Sequence, residues 1–273
     1  MTPLLVVILV ASAASAFCWI ASLITRDTSW VDRLWSVVPV VYVWIFAGSA
    51  GFADTRLNVM AVLVSLWGAR LTYNFARKGG YSGVEDYRWA VLRARMAPWQ
   101  FQVFNLFFIV LYQMALLVLI TLPAQTALDH PTPFGPLDGL LAVLFLGALL
   151  GETVADQQQW SFHVAKKAEI AAGREPSSRF LQTGLWSVSR HPNFFFEQSQ
   201  WWLIYLFGAV AAGTVLVWTV AGAALLTLLF IGSTIFTESI TRGKYPEYAD
   251  YQARVSPIVP WVPRRRSITA AAN

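Results

Sequence analysis

Cysteine, histidine and charge are all scarce in this chain. The single cysteine, Cys18, lies inside an apolar run, which excludes a disulfide framework and a cysteine-based zinc site. His130, His163 and His191 are scattered without metal-ligand spacing, so no metal site is expected. Charged residues are 13% of the 273, about half the ~25% usual in soluble domains. No Gly-x-Gly-x-x-Gly follows a strand pattern, which argues against a Rossmann nucleotide domain.

What is present is hydrophobic. Apolar residues make up 56% of the chain, with 13 tryptophans and a mean hydropathy of +0.52. A bilayer-spanning helix needs about 20 mostly apolar residues. Stretches of that kind run over 3–24, 35–52, 57–76, 101–123, 137–155, 194–211 and 213–236. The first lacks a basic leader and is too long for a signal-peptide core, so a retained helix is expected. Gly48, Gly51 and Pro39 interrupt the second. Only Ala211, Ala212 and Gly213 separate the last two, which predicts a tight helical hairpin. The expected fold is an all-α integral membrane protein of about seven transmembrane helices. It is read as one domain over 1–263 with a basic tail over 264–273.

Charge placement gives the orientation. With the N-terminus outside, every Lys and Arg except Arg56 and Arg70 falls on the cytoplasmic side, as positive residues do in membrane proteins. This leaves the C-terminus cytoplasmic, and it assigns the net charge of +5 to topology rather than to nucleic acid. The long segments 77–100, 156–193 and 237–263 carry the Arg, Tyr, Trp, Asn and carboxylate residues, so function is expected at that face. The expected location is a bacterial inner membrane.

Ionisable groups within a membrane bundle are costly and by default mark a site. Asp32, Arg70, Glu152, Asp156 and Glu197 are such groups. Arg70, Tyr73 and Asn74 lie within about one helical turn, and share roughly one face. Glu152 with Asp156, and Asn193 with Glu197, are spaced four apart and each share a face. The plain alternative is interhelical hydrogen bonding or snorkelling. Three polar rows at one depth point instead to a polar cavity. Pro192 can seat Asn193 at a helix start, and an N-terminus flanked by Arg190 and His191 suits an anion. A dinucleotide offers a pyrophosphate there, and a 2′-phosphate to Arg77, Lys78 or Arg179.

The stretch Gly-Leu-Trp-Ser-Val-Ser-Arg-His-Pro-Asn-Phe-Phe-Phe-Glu over 184–197 resembles the steroid 5α-reductase family, and within it a bacterial branch of unassigned substrate. The wider clan includes sterol reductases and isoprenylcysteine carboxyl methyltransferases. TYNFARKGGYSGVEDYRW, ADQQQWSF and the closing KYPEYADYQARVSPIVPWVP extend the likeness over roughly 29–263. The resemblance implies NADPH held by the later helices, and a lipid or steroid-like α,β-unsaturated ketone entering from the bilayer. It implies hydride delivery to the β-carbon while an acid hydrogen-bonds the carbonyl oxygen. Asp32, seven residues before Pro39, is similar to the family's carboxylate before its Val-Pro. Its alternative is an ion pair with Arg33 or Arg70. The expected catalytic set is Asp32, Tyr73 and Arg70. The expected cofactor set is Asp156, Arg179, Arg190, His191, Asn193, Glu197, Arg77, Lys78, Glu238, Arg242 and Tyr248. Asp156, Arg179, Asn193 and Glu197 match family cofactor positions.

There are departures. Trp67 stands where the steroid enzymes place a tyrosine, and Glu238 and Arg242 stand where they place histidine and tyrosine. Two alternatives remain. One is an S-adenosylmethionine-dependent methyltransferase, with Glu238, Tyr245, Tyr248 and Tyr251 lining the methyl donor. The other is a lipid-binding or transport protein.

Overall fold

The computed structural model describes residues 1–264, and no strand forms among them; extended segments meet there only at the Ser189–Ser256 bridge. The expected tail over 264–273 lies outside the described residues apart from Arg264. Helix starts follow local chemistry. Helix α1 (Pro3–Thr25) begins where Thr2 Oγ1 accepts from Leu5 N at 3.3 Å, with Pro3 in the first turn. A break at Ser36 and Val37 separates α2 (Trp30–Trp35) from α3 (Val38–Ser49). Pro39 therefore opens α3 rather than interrupting it, because a missing N–H costs nothing in a first turn. Asp54 caps α4 (Thr55–Arg77), accepting from Leu57 N at 2.9 Å.

Beyond the short α5 (Tyr87–Arg93), three pieces form one continuous helical run of 32 residues. They are α6 (Pro98–Phe104), a π-helical stretch (Asn105–Tyr112) and α7 (Gln113–Asp129). Helix α8 (Pro136–Ala171) has 36 residues, a length of about 54 Å at 1.5 Å per residue. It greatly exceeds the ~30 Å hydrocarbon layer, so the span expected to end at 155 continues as helix. A 3₁₀ turn (Gly184–Ser187), α9 (Pro192–Ala212), α10 (Val220–Lys244) and α11 (Tyr248–Arg254) complete the chain.

Six of these helical runs are long and apolar enough to cross a membrane. Helix α9 has the length, 21 residues, but Asn193, Glu197, Gln198 and Gln200 dilute its apolar character. The expected three-residue hairpin after α9 is not what forms. Gly213 takes a positive φ of 67°, and 213–219 run as an irregular loop before α10 starts at Val220. The β-branched Thr214, Val215 and Val217 disfavour helix there. The loop is tied down by the Tyr205 hydroxyl, which donates to the Val215 carbonyl.

The chain divides into two compact units. Unit 1 comprises 1–146 and 200–227; α3 packs on α4 and α7 within it, and α1 packs on α3 and α7. Its core includes Tyr42, Phe46, Leu57, Met60, Trp67 and Leu117. Small residues allow close helix contact. A Cβ on Gly68 would meet Ser36 O at 2.6 Å, and one on Gly222 would meet Leu119 O at 2.4 Å. Unit 2 comprises 147–199 and 228 onward, with Tyr248, Tyr251 and Val255 packed against Phe180 and Tyr245.

One buried ion pair anchors unit 1. Arg56 Nε and Nη2 grip Asp138 Oδ1 and Oδ2 at 2.7 and 2.9 Å, with both side chains 1% exposed. The other guanidinium hydrogens go to Thr132 O and Oγ1 and to Pro133 O, and Gly135 N donates to Asp138. Removing one partner strands a buried charge. Asp138→Ala should lower the unfolding free energy in detergent by about 3–5 kcal/mol, whereas the paired Arg56→Met/Asp138→Leu variant should recover most of that loss.

Candidate functional site

The expected polar rows of unit 2 are buried. Glu152 and Asp156 on α8 are 3% and 4% exposed, and Glu197 on α9 is 5% exposed. Neighbouring contacts set their faces. A Cβ on Gly151 would strike the Phe196 ring at 2.5 Å. Trp186 Nε1 donates to Ala155 O at 3.2 Å, and Leu185 N donates to Gln158 Oε1 at 3.0 Å. The 151–155–158 stripe of α8 is thus covered by α9 and the 3₁₀ turn, and Glu152 and Asp156 lie on the adjoining stripe. Asn193, in the first turn of α9, has a buried Oδ1 with no hydrogen-bond partner among the described residues.

Arg190 and His191 do meet an anion, but it comes from the chain itself. Glu238 on α10, 6% exposed, accepts from Arg190 Nε at 2.6 Å and Nη2 at 3.0 Å. Gln252 Nε2 and the Tyr248 hydroxyl also donate to it, at 2.8 and 3.3 Å. His191 Nε2 lies 3.0 Å from the same carboxylate. The remaining Arg190 nitrogen, Nη1, donates to the carbonyls of Gln252 and Val255. Backbone pairing continues the seam, with Arg190 N to Ser256 O at 2.8 Å and Trp261 N to Val188 O at 3.0 Å. The Tyr251 hydroxyl donates to Trp186 O. Burial raises the pKa values of Tyr248 and Tyr251, and the Glu238 carboxylate pushes Tyr248 further. Arg190, His191, Glu238 and Tyr248, expected as cofactor ligands, therefore form an internal clamp.

Farther out in unit 2, Arg179 is exposed and lies 3.6 Å from Glu247. Arg242, near the end of α10, is exposed. Lys166 donates to Arg179 O and to the Tyr245 hydroxyl. Burial tends to raise the Tyr245 pKa, but Lys166 and Lys244 outweigh it and leave the phenol below its ordinary value.

Unit 1 holds the expected catalytic residues and distributes them differently. Tyr73 is 66% exposed and stacks with the Arg77 guanidinium at 5.4 Å, whereas Asn74 is buried and accepts from Arg77 Nε at 2.9 Å. The face expected to unite Tyr73 and Asn74 is split, because adjacent residues diverge by about 100° around a helix. Arg70 is half-buried, and Lys78 is exposed at the end of α4. Trp67 is fully buried, edge-on to Trp201 at 4.8 Å.

Asp32 Oδ2 accepts from Trp89 Nε1 at 3.2 Å. The alternative partner Arg33 pairs instead with Asp27, at 2.5 Å, and with Gly80 O. Around Asp32, the segment 27–33 is bound to 80–93. Glu85 Oε1 accepts from Thr28 N and Oγ1 at 3.0 and 2.8 Å, while Arg93 grips both Glu85 oxygens. Burial raises the Glu85 pKa, but these donors outweigh it and bring it below the ordinary 4.5.

Several buried polar atoms in unit 1 escape the sequence reading, Tyr42 and Asn105 among them. The Tyr42 hydroxyl on α3 and Asn105 Oδ1 in the π-helical stretch have no hydrogen-bond partners among the described residues. An asparagine inside the apolar run FNLFF is a signal of the same kind as Asp32. Tyr42, amid valines, gives none.

The sequence pattern of a family described as "Protein of unknown function (DUF1295)" matches residues 18–255. An "Uncharacterized protein C594.04c" from Schizosaccharomyces pombe is 38% identical over 274 aligned positions, covering 94% of this chain and 80% of the relative. No solved structure matches.

Glu238→Ala should leave Arg190 buried and uncompensated, costing about 3–5 kcal/mol. Hydrogen exchange should then accelerate over 186–190 and 251–261. The Glu85 cluster predicts acid sensitivity. A carboxylate with a lower pKa in the folded state stabilises the fold above pH 4.5, and that contribution disappears as pH falls through the folded value. Glu85→Gln should flatten this limb of the unfolding-versus-pH curve.

Proposed function

Because this chain belongs to the DUF1295 family, whose description specifies no reaction, we propose its function from its own chemistry and from the steroid 5α-reductase resemblance. The reading is a membrane-embedded, NADPH-dependent reductase of an α,β-unsaturated ketone in a lipid. The observation that carries it is the unpartnered Asn193 Oδ1 in a segment that also buries Glu197, with Asp156 buried on α8. A buried acceptor without a donor costs about 1–3 kcal/mol, and a nicotinamide riboside, rich in amide and hydroxyl donors, would relieve it. Asn193, Glu197 and Asp156 would hold that end. Arg179 and Arg242, both exposed, are suited to its phosphates.

NADPH, when bound, would supply the hydride for the β-carbon, with a proton from solvent completing the saturated ketone at the α-carbon. In unit 1, Asp32, whose Oδ2 accepts from Trp89 Nε1, is the proposed acid; in its protonated form it would donate a hydrogen bond to a carbonyl oxygen. Tyr73 has no part in this because it faces outward. With α9 counted as a polar seventh span, charge placement puts the N-terminus outside and the C-terminus in the cytoplasm. The fungal relative widens the setting beyond a bacterial inner membrane.

The methyltransferase reading loses ground at its own residues. Glu238 is already ringed by Arg190, Gln252, Tyr248 and His191, and the Tyr251 hydroxyl donates to Trp186 O. Little acceptor capacity is left for a methyl donor's ammonium. In detergent, NADPH at a hundredfold excess over its Kd should stabilise the full chain by about 2.7 kcal/mol. Asn193→Ala should weaken NADPH about tenfold, while Asp32→Asn should spare binding and reduce turnover. Stabilisation by S-adenosylmethionine alone would overturn the reductase reading, and a response to neither ligand would favour lipid binding or transport.

A further inference from the structure

We propose that the polar ends of α8 and α10 form a headgroup site for an anionic phospholipid, in which the Lys166 and Lys244 ammonium groups and the Tyr245 hydroxyl hold the phosphate. The site lies within unit 2 and uses none of the residues assigned above to the nucleotide. It therefore stands whether or not the reductase reading does.

Lys166 is held in place from several directions. Its Nζ donates to the Tyr245 hydroxyl at 3.2 Å and to Arg179 O. The same atom lies 4.9 Å from the centre of the Tyr245 ring and 5.8 Å from that of Phe162. An ammonium group carries three N–H donors, so one remains to offer. Lys244 Nζ approaches the same tyrosine, 5.4 Å from its ring centre. Two cations thus share one phenol. The nearby carboxylates are engaged elsewhere: Glu247 lies 3.6 Å from Arg179, and Glu169 accepts from Ser177 N at 2.8 Å. Among the described residues neither lysine forms an ion pair. Against the raising effect of burial, the two lysines hold the Tyr245 phenol below its ordinary value, which marks the positive charge left uncompensated around it.

The depth of this pair selects a lipid as the source of the anion. Helix α10 is long and apolar enough to cross a membrane, and Lys244 is its last residue. Its 25 residues extend about 37 Å at 1.5 Å each. That exceeds the ~30 Å hydrocarbon core but not the ~40–45 Å that includes the headgroups. Lys244 and Tyr245 therefore reach the layer in which lipid phosphates lie and tyrosines are enriched. Phe162, one turn before Lys166 on α8, supplies an apolar floor beneath the ammonium. Lysines suit such a ligand because they act as point charges on flexible stems and follow a mobile headgroup, where an arginine fork demands fixed planar geometry.

To test this, the full chain in detergent is titrated with phosphatidylglycerol, phosphatidylcholine, inorganic phosphate and NADPH, and bound lipid is counted by native mass spectrometry. Phosphatidylglycerol should be retained over phosphatidylcholine, with an affinity that falls as salt rises. Lys244→Gln, at an exposed position, should weaken phosphatidylglycerol about fivefold, and adding Lys166→Gln should weaken it about fivefold again. Lys166→Arg should keep the lipid. Ultraviolet titration gives a second readout. The phenol whose signal vanishes in Tyr245→Phe should ionise at higher pH with phosphatidylglycerol bound, because the phosphate offsets the lysines. Equal retention of the two lipids would overturn the site. So would a folded Lys244→Gln or Lys166→Gln/Lys244→Gln protein that binds phosphatidylglycerol unchanged. Displacement of the lipid by inorganic phosphate would overturn the lipid as the source, and displacement by NADPH would give the two lysines to the nucleotide instead. Phosphatidylglycerol binding without NADPH binding removes the reductase and leaves the headgroup site, and NADPH binding without lipid discrimination does the reverse.

Discussion

A carboxylate 6% exposed on a membrane helix cannot remain charged without a dense shell of donors. Glu238 acquires that shell by drawing in Arg190, Gln252 and Tyr248, with His191 alongside. The rest of unit 2 depends on this exchange. Arg190 reaches Glu238 only if the turn before α9 is folded, and its remaining nitrogen then holds the carbonyls of Gln252 and Val255. The segment after α10 is brought back alongside 186–190, and Ser189 Oγ and Arg190 N complete the seam at Ile258 O and Ser256 O. The start of α9 is thereby fixed, and with it the direction in which Asn193 and Glu197 face. Residues that look like ligands in sequence act here as the support that fixes the start of α9.

The same economy separates structural from functional polarity throughout the chain. Arg56 with Asp138, and Glu85 with Thr28 and Arg93, are saturated: their donors and acceptors find each other at 2.7–3.0 Å. A saturated cluster holds elements together and has little to offer a ligand. Asn193 Oδ1, Tyr42 Oη and Asn105 Oδ1 are the opposite case, buried and unanswered. In a bundle with no water to hand, an unanswered buried atom is a persistent cost. The chain bears that cost in each unit.

The sequence conveyed the scaffold well because membrane spans are written in long apolar runs and charge bias, signals that survive small errors of boundary. Six of the expected spans correspond to helices of sufficient length and apolarity. The polar rows Glu152–Asp156 and Asn193–Glu197 were legible because four-residue spacing specifies one face whatever the packing. What was not legible depended on partners far along the chain. Nothing near Arg190 announces that Glu238, 48 residues away, will take up its guanidinium, so a basic turn read as an anion site. Tyr73 was misplaced for a simpler reason: residues three and four beyond Arg70 flank its face on either side, and only the neighbouring helices decide which is covered. The hairpin at 211–213 failed because hydropathy does not distinguish apolar loop from apolar helix.

Tyr42 shows how far such reading can reach. In sequence it is one aromatic in VPVVYVWIF, the composition of any buried helix, and its ring fills core like that of a phenylalanine. Its hydroxyl becomes informative only when the hydrogen bonds around it are accounted for, and none among the described residues reaches it. Functional meaning in such a membrane interior then lies less in which polar residues are present than in which remain unsatisfied after folding. Composition lists the first; only the folded arrangement, atom by atom, yields the second.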